Sequence, residues 1–268
     1  MKLLTLNTHS IIEEDYRSKL LYFTDVISEI KPDIIALQEV NQSIYSDLLP
    51  KSRLEGYVGI SNTITIKEDN HIASVNAILR ARGVKYNWSW LPIKNGYSKF
   101  DEGIGILSLS PIIETKVIQL SKHDDYYNWR TRKALGIKTS DNNWFYTAHF
   151  GWWDDEYEPF KYQWESFVKS IDNDADVWIS GDFNSTPDSP AYSLIKDDGW
   201  YDCYELSQDK DDGVTVYGAI AGWDNNSSKK RIDYIFTNKK KEIKSTKVIF
   251  NGKNKAVVSD HFGVLSEI

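Results

Sequence analysis

The sequence predicts an α/β protein in which two β-sheets pack face to face and helices cover their outer surfaces. The chain opens with a strand, an amphipathic helix and a second strand. Its middle is rich in short aromatic and β-branched segments, and three more such segments close it. Many strands with interspersed helices are typical of two packed sheets with helices outside.

The opening strand–helix–strand unit follows from its hydrophobic pattern. Residues 16–30 carry apolar side chains at spacings of three and four, which predicts an amphipathic helix. Pro32 ends that helix. Strands are predicted on either side of it, at 3–7 and at 33–38, with Glu39 at the end of the second.

The remaining predicted elements are short. A second helix covers 71–82, with Asn70 as its N-cap and Gly83 at its end. A third covers 159–171, and a fourth begins at Pro190. The other predicted strands are 86–91, 104–109, 113–120, 134–139, 144–149, 177–180, 232–237, 243–250 and 262–266. Because no repeat or linker-like stretch separates them, we expect residues 1–268 to form a single domain.

Composition narrows the class of function. The 268 residues carry a formal net charge of −7, with a sequence pI near 5.3. This balance argues against general nucleic-acid binding, which draws most of its affinity from Lys and Arg. Cys203 is the single cysteine, so neither an intrachain disulfide nor a thiolate zinc site can form. No apolar run approaches membrane-spanning length, and we expect a cytoplasmic protein with no membrane association.

One segment departs from the acidic balance. Residues 229–255 contain ten basic residues against two acids, Asp233 and Glu242. We interpret the segment as a solvated hairpin with Lys239, Lys240 and Lys241 at its tip. A DNA-facing patch is the alternative interpretation.

Polar and ionisable residues follow or flank the hydrophobic strands. They are Asn7, Glu39, His149, Asp182, Asn184, Asp233, Asp260 and His261. Taken singly, each could be a turn residue, a surface residue or a satisfied polar group in the core. Since strand ends present side chains at a common rim, the set together predicts oxygen ligands for Mg²⁺ beside nitrogen donors for an anion.

All of these residues except His149 lie in motifs that resemble the endonuclease/exonuclease/phosphatase superfamily. The motifs are Thr5-Leu6-Asn7, Leu37-Gln38-Glu39, Glu102-Gly103-Ile104-Gly105-Ile106-Leu107-Ser108, Gly181-Asp182-Phe183-Asn184, Arg231-Ile232-Asp233-Tyr234-Ile235 and Ser259-Asp260-His261. The resemblance spans residues 3–264. It implies a deoxyribonuclease-like four-layer α/β/β/α sandwich of two mixed sheets, and a Mg²⁺-dependent phosphoric ester hydrolase in which Mn²⁺ can substitute.

The resemblance also implies a metal site. Glu39 is expected to be the main Mg²⁺ ligand, with Asn7 and Asp260 close to the ion or its waters. Several nucleases of this family carry an acidic residue two positions after the first Asn, where this chain has His9. That departure puts a second metal position in doubt and leaves the Glu39 site intact.

The implied catalytic roles suit hydrolysis by in-line attack of an activated water. Asp182 is expected to orient and deprotonate the water, with Asn184 fixing its position. His261, held by Asp233, would donate a hydrogen bond to a non-bridging phosphate oxygen. His149 is expected to be a second donor to that phosphate.

Tryptophan and arginine residues are the candidate substrate contacts. Trp152 and Trp153 follow His149, and Trp223 lies in a loop before the Asp233 strand. Tryptophan rings beside Asp and Asn suit a neutral sugar, although the same rings could serve as packing. Arg130 and Arg132 could supply a further phosphate contact or form an exposed turn.

A closer resemblance concerns the substrate. The segment 1–10, the Trp152-Trp153 loop, Gly222-Trp223 and the segment 257–261 are similar to bacterial maltose 6′-phosphate phosphatases. This similarity implies hydrolysis of a sugar-phosphate monoester, with maltose 6′-phosphate the best single candidate. The alternatives are a DNA nuclease of the exodeoxyribonuclease or apurinic-site endonuclease type, and a phospholipid phosphodiesterase of the sphingomyelinase type.

Overall fold

A computed structural model describes residues 1–218 and 228–268, and in these residues two mixed β-sheets form the centre of the protein. From edge to edge, the first sheet contains β10 (Ser207–Lys210), β14 (Ile243–Ile249), β15 (Gly263–Glu267), β1 (Lys2–Asn7), β2 (Ile34–Ser43), β4 (Phe100–Ser108) and β3 (Asn87–Gly96). The second sheet contains β5 (Ile112–Gln119), β6 (Lys133–Thr139), β7 (Trp144–His149), β8 (Val177–Asp182), β13 (Asp233–Thr237) and β9 (Tyr201–Asp202). The short strands β11 (Val216–Tyr217) and β12 (Lys229–Lys230) pair separately.

Helices cover the outer face of each sheet. These helices are α1 (Tyr16–Ile30), α2 (His71–Ala81), α3 (Phe160–Ser170) and α4 (Pro190–Asp197), whereas the single turn α5 (Cys203–Leu206) packs on the core between the sheets. Apolar residues of α1 and α2 pack on the first sheet, and those of α3 and α4 pack on the second. The Asn70 side chain accepts a hydrogen bond from the Ala73 amide, as expected of the predicted N-cap. In the described ranges no helix is long and apolar enough to cross a lipid bilayer.

A separate core lies between the two sheets, and strand alternation builds it. On β2, Ile34 belongs to the core between the sheets and Ile35 to the core beneath α1 and α2. On β7, Phe145 faces the first sheet while Trp144 and Tyr146 face the helices. Because successive strand residues point to opposite faces, each sheet contributes to two cores. The predicted four-layer α/β/β/α sandwich is confirmed.

Several local predictions differ from the structure; β3, for example, extends to Gly96 where a strand over 86–91 was predicted. The strand predicted to end at Glu39 continues as β2 to Ser43, past an irregularity at Glu39. The predicted hairpin at Lys239–Lys241 was wrong, because β13 pairs with β8 and β9 while β14 pairs with β10 and β15. The lysines therefore lie where the chain passes from one sheet to the other, and Lys239 and Lys241 form ion pairs with Asp176.

Candidate active site

Strand register brings polar residues from distant parts of the chain to one rim of the sandwich. In the second sheet, β7 and β8 run parallel with His149 opposite Asp182. Strand β13 runs antiparallel to β8 and places Asp233 on the other side of Asp182. In the first sheet, the parallel strands β1 and β2 bring Asn7 beside Gln38, the residue before Glu39.

A β-bulge positions Glu39. The pairing of β2 with β4 shifts register between Leu37 and Val40, and Glu39 has a left-handed backbone with φ of 50°. The Thr8 hydroxyl lies 2.9 Å from the Gln38 carbonyl oxygen and 3.2 Å from that of Glu39. An extra residue in a strand redirects its side chain, and here the bulge lets Glu39 reach the cavity at the sheet edge.

The sequence Gly181-Asp182-Phe183-Asn184 forms a tight turn at the end of β8. A Cβ on Gly181 would lie 1.9 Å from the Ala148 carbonyl oxygen, so the close approach of β7 requires glycine. The Asn184 amide N–H donates to Asp182 Oδ1 at 2.8 Å. The Asn184 side chain donates to the Phe150 carbonyl at 2.9 Å, which fixes its direction.

Asn7 connects the two sheets at the rim. Its side-chain amide donates to Glu39 Oε1 at 2.9 Å and to Asp182 Oδ2 at 3.2 Å. The Asn7 side chain is buried, and its main-chain carbonyl accepts a hydrogen bond from the Ser259 hydroxyl at 2.8 Å. Asn7 therefore holds the two carboxylates at a fixed separation and is itself fixed by the segment that carries Asp260.

His261 and Asp233 form a buried imidazole–carboxylate pair. His261 Nδ1 lies 3.1 and 3.0 Å from the two Asp233 oxygens, and Nε2 lies 3.7 Å from Asp182 Oδ2. Burial alone would lower the pKa of His261, but the charges of Asp233 and Asp182 outweigh burial and raise it to about 10. Burial also raises the pKa of the Asp182 carboxyl to about 7, although the His261 cation opposes the rise. At neutral pH, His261 is therefore a hydrogen-bond donor.

His149 has the opposite electrostatic character. Burial, followed by the charges of Arg132 and Lys94, lowers its pKa well below the ordinary value, so the imidazole is neutral. Its Nε2 lies 3.1 Å from the Asn184 amide nitrogen, which acts as the donor. The remaining N–H is then on Nδ1, 3.8 Å from Glu39 Oε1.

These groups surround a cavity of about 400 Å³. The sequence-predicted residues that line it are Glu39, Arg132, His149, Trp152, Asp182, Asn184, Asp260 and His261. Asn7 and Asp233 do not line it and act through the side chains that they hold. Asp260 lies at the edge of the cavity, with Oδ1 3.2 Å from the Ser259 hydroxyl oxygen.

The tryptophans predicted to contact the substrate lie in different surroundings in the structure. Trp152 lines the cavity, and its indole N–H is buried without a hydrogen-bond partner in the described part of the chain. Trp153 does not line the cavity; it is half-buried against the core between α3 and the second sheet, where it is a packing residue. Trp223 lies outside the described residues.

The two arginines predicted to contact the phosphate also lie in different surroundings. Arg130 forms an ion pair with Asp155 at 2.8 Å, and its guanidinium lies 4.2 Å from the Trp129 ring centre and 5.0 Å from that of Tyr157. These partners occupy Arg130 outside the cavity. Arg132 instead lies inside it and is only 3% exposed.

Sequence reasoning missed several residues of the cavity wall. Lys94, Tyr97 and Trp129 line it together with Glu102, which the motif at 102–108 contains but to which no role was assigned. Lys94 follows the apolar residues 91–93 of β3, and a lysine directly after such a run was the available signal. Tyr97 and Trp129 lie in loops, and only the fold brings them to the rim.

The residues present fit a divalent cation. Glu39 has two carboxylates as charged neighbours, since burial and then Glu102 and Asp260 raise its pKa. The Asn7 amide nitrogen donates to Glu39 Oε1, and Asn7 Oδ1 accepts from the His9 amide N–H at 3.2 Å, so Asn7 orients Glu39. Converging oxygen donors with excess negative charge are the set that Mg²⁺ and similar ions prefer.

Two groups of possible ligands have donor atoms within 4.8 Å of one another. They are His9, Glu13 and Asp260, at the edge of the cavity, and the buried Asp182, Asp233 and His261. In the second group both Asp233 oxygens contact His261 Nδ1, and the charges of Asp233 and Asp182 outweigh burial and raise the pKa of the imidazole, so a metal ion bound there would have to displace a proton. In the first group, Glu13 Oε1 lies 2.8 Å from His9 Nδ1. Glu13 therefore places a carboxylate beside His9, the position at which several nucleases of the family carry an acidic residue.

Comparison with known proteins identifies the family of the chain. The model of the endonuclease/exonuclease/phosphatase family matches residues 4–261, whereas no curated protein sequence matches the chain. An endonuclease/exonuclease/phosphatase family protein from Leptotrichia buccalis is 30% identical with a TM-score of 0.87, covering 100% of this chain and 99% of its own. Similar folds at 16% and 15% identity are the mannosyl-6-phosphatase from Bacteroides thetaiotaomicron (TM-score 0.65; 100% and 98% covered) and D. rerio TDP2 complexed with single-strand DNA product (TM-score 0.62; 99% and 97% covered). The chain belongs to the endonuclease/exonuclease/phosphatase family of metal-dependent phosphoric ester hydrolases.

Proposed function

We propose that this protein is a Mg²⁺-dependent phosphomonoesterase that hydrolyses a sugar phosphate, with maltose 6′-phosphate as the best single candidate. The observation that carries the proposal is the aromatic wall of the cavity. Tyr97, Trp129 and Trp152 line the same space as Asp182 and His261. A volume of about 400 Å³ suits a small molecule, and aromatic rings with a few polar groups are the usual lining of such pockets.

The aromatic wall has the features of a sugar-binding surface. The Trp129 and Trp152 rings meet edge to face at 6.0 Å, and both line the cavity. The unpaired Trp152 N–H offers a donor to a hydroxyl group, because a buried donor without a partner is unfavourable until a ligand supplies one. Tyr97 is 67% exposed and offers a further aromatic surface at the mouth.

The chemistry assigned to the chain's own residues follows from their charges. Asp182, with a pKa near 7, can accept a proton from an attacking water, and the Asn184 amide keeps its carboxylate in place. Protonated His261 donates from Nε2 to a non-bridging phosphate oxygen, while Asp233 holds its other nitrogen. His149 lines the cavity as a neutral imidazole, so it adds no positive charge to the phosphate site.

A divalent cation held by Glu39, with Asn7 and Asp260 near it, would neutralise phosphate charge and stabilise the leaving oxygen. Oxygen donors favour Mg²⁺, with Mn²⁺ as a substitute. This assignment requires the Glu39 bulge, because a regular strand would point the side chain elsewhere.

The distribution of charge favours a small substrate over DNA. Among the described residues, seven of the ten basic side chains between 229 and 255 lie within 4.0 Å of a carboxylate. Lysines neutralised in this way contribute little to phosphate-backbone binding. The mannosyl-6-phosphatase shares the fold, which supports including hexose 6-phosphates among the candidate substrates.

The test is a phosphate-release assay with Mg²⁺ across maltose 6′-phosphate, mannose 6-phosphate, glucose 6-phosphate and nucleoside monophosphates. Plasmid DNA and abasic DNA test the alternative nuclease activity, and sphingomyelin tests the alternative phospholipid phosphodiesterase activity. We expect kcat/KM for one sugar phosphate to exceed that for every nucleotide at least tenfold. Efficient cleavage of DNA or sphingomyelin without sugar-phosphate turnover would refute the proposal.

A further inference from the structure

Two cationic side chains are fixed side by side in the wall of the cavity. Lys94 Nζ and Arg132 Nη1 each donate to the Trp129 carbonyl oxygen, both at 3.1 Å. Lys94 is 8% exposed and Arg132 is 3% exposed, and both line the cavity. One main-chain oxygen therefore holds two positive charges close together, away from bulk water.

Among the described residues, only one of these two cations has a carboxylate in contact, while Glu102, Asp182 and Glu39 act on Arg132 from a longer distance. Lys94 Nζ lies 3.0 Å from Glu102 Oε1 in a buried ion pair. Within residues 1–218 and 228–268, no carboxylate oxygen lies within 4.0 Å of the Arg132 guanidinium, and its Nε has no hydrogen-bond partner. A buried guanidinium with no carboxylate in contact and an unsatisfied N–H is unfavourable, and an anionic ligand would lower that cost.

Hydrogen bonds to neighbouring oxygen atoms fix the position of Arg132. The Arg132 amide donates to the Ser121 hydroxyl at 3.0 Å, and Nη1 also lies 3.4 Å from the Thr131 carbonyl oxygen. Arg132 immediately precedes β6 in the second sheet. A side chain fixed in advance loses little freedom when it binds.

We infer that Arg132, with Lys94 beside it, binds the terminal oxygens of a phosphate monoester dianion and selects monoesters over diesters. This inference rests on the proposed phosphomonoesterase function. A monoester brings a second negative charge and unsubstituted oxygens that match the planar donor fork of arginine. A diester carries one charge fewer and an ester group in place of one of those oxygens, so it leaves the guanidinium partly uncompensated.

The test compares two substrates with the same leaving group, p-nitrophenyl phosphate and methyl p-nitrophenyl phosphate. In Arg132→Gln, kcat/KM for the monoester should fall about 10²- to 10³-fold, the range for loss of one preorganised electrostatic donor, and for the diester less than about tenfold. Lys94→Met should lower the monoester value more than the diester value. The matched control is Arg130→Gln, whose charge Asp155 already neutralises, and it should leave the ratio of the two values within about twofold.

Equal losses on both substrates in Arg132→Gln would overturn the inference. Should that variant fail to fold, Arg132→Lys decides, because it keeps the charge, loses the donor fork and should still lower the monoester-to-diester ratio.

Binding of inorganic phosphate, measured by calorimetry, gives a readout independent of turnover. Wild type should bind it at least tenfold more tightly than Arg132→Gln, and equal affinities would overturn the inference. A wild type that prefers diesters would refute the proposed function instead, so the two failures are distinguishable.

Discussion

His71 allows a quantitative test of how burial is linked to stability. It lies in α2, 5% exposed, with Nδ1 2.9 Å from the Tyr16 hydroxyl and Nε2 without a partner among the described residues. Burial lowers the pKa of its imidazole from 6.5 to about 3. Folding therefore requires the neutral form, whereas the unfolded chain takes up a proton as the pH falls below 6.5.

The size of the effect follows from proton linkage. Between pH 3 and 6.5 the unfolded state binds more protons at this site, so stability falls with falling pH. At about 1.4 kcal/mol per pKa unit, His71 alone costs about 2 kcal/mol of unfolding free energy between pH 7 and pH 5. At pH values below the folded pKa, the loss reaches about 5 kcal/mol.

The assay is urea denaturation at pH 7 and pH 5 for wild type and His71→Gln. The variant cannot titrate, so it should lose about 2 kcal/mol less than wild type between the two pH values. Tyr16→Phe is the control: it removes the hydroxyl partner but leaves the imidazole buried, so it should retain the pH-dependent loss. If His71→Gln and wild type lose equal stability, His71 is not neutral in the folded protein and the reasoning fails.

Three further predictions concern the cavity. Asp182→Asn should lower kcat about 10²- to 10⁴-fold without unfolding the protein, and near-normal turnover would contradict its role as the base. EDTA should abolish activity, and Mg²⁺ should restore it. Mg²⁺ should also raise the melting temperature of wild type but not of Glu39→Gln. An equal rise in both proteins would exclude Glu39 as the ligand. Trp152→Ala should raise KM for a disaccharide phosphate about tenfold more than for p-nitrophenyl phosphate, whereas Trp153→Ala should lower stability by about 2 kcal/mol and leave both KM values unchanged. A matching pair of KM increases in Trp152→Ala would mean that the ring does not contact the sugar.

The strand-end residues of the site could be predicted because local sequence encodes them. Asp182 follows a buried hydrophobic strand, and its turn needs Gly181 on one side and Asn184 on the other. Glu39 and His261 lie in equally compact motifs. Hydrophobic periodicity also located the strands and helices, since a period of two or of about 3.6 residues depends only on neighbours along the chain.

Contacts between residues that are distant in the sequence could not be predicted. The tandem Trp152 and Trp153 look equivalent in sequence, yet one lines the cavity and the other packs on a core. Arg130 and Arg132 are two positions apart, and only Arg130 has Asp155 within reach. The hairpin prediction failed for the same reason, because two strands adjacent in sequence joined different sheets.

The sequence by itself determined the layered α/β fold, the rim at which the polar strand ends meet, and the chemical types of the residues there. The tertiary structure alone decided which charges are paired, which aromatic rings line the cavity, and that Lys94 and Arg132 share the Trp129 carbonyl. The physical reason is that strand periodicity and turn geometry depend on neighbours along the chain. Burial and charge balance depend instead on atoms that only the packing of two sheets brings together.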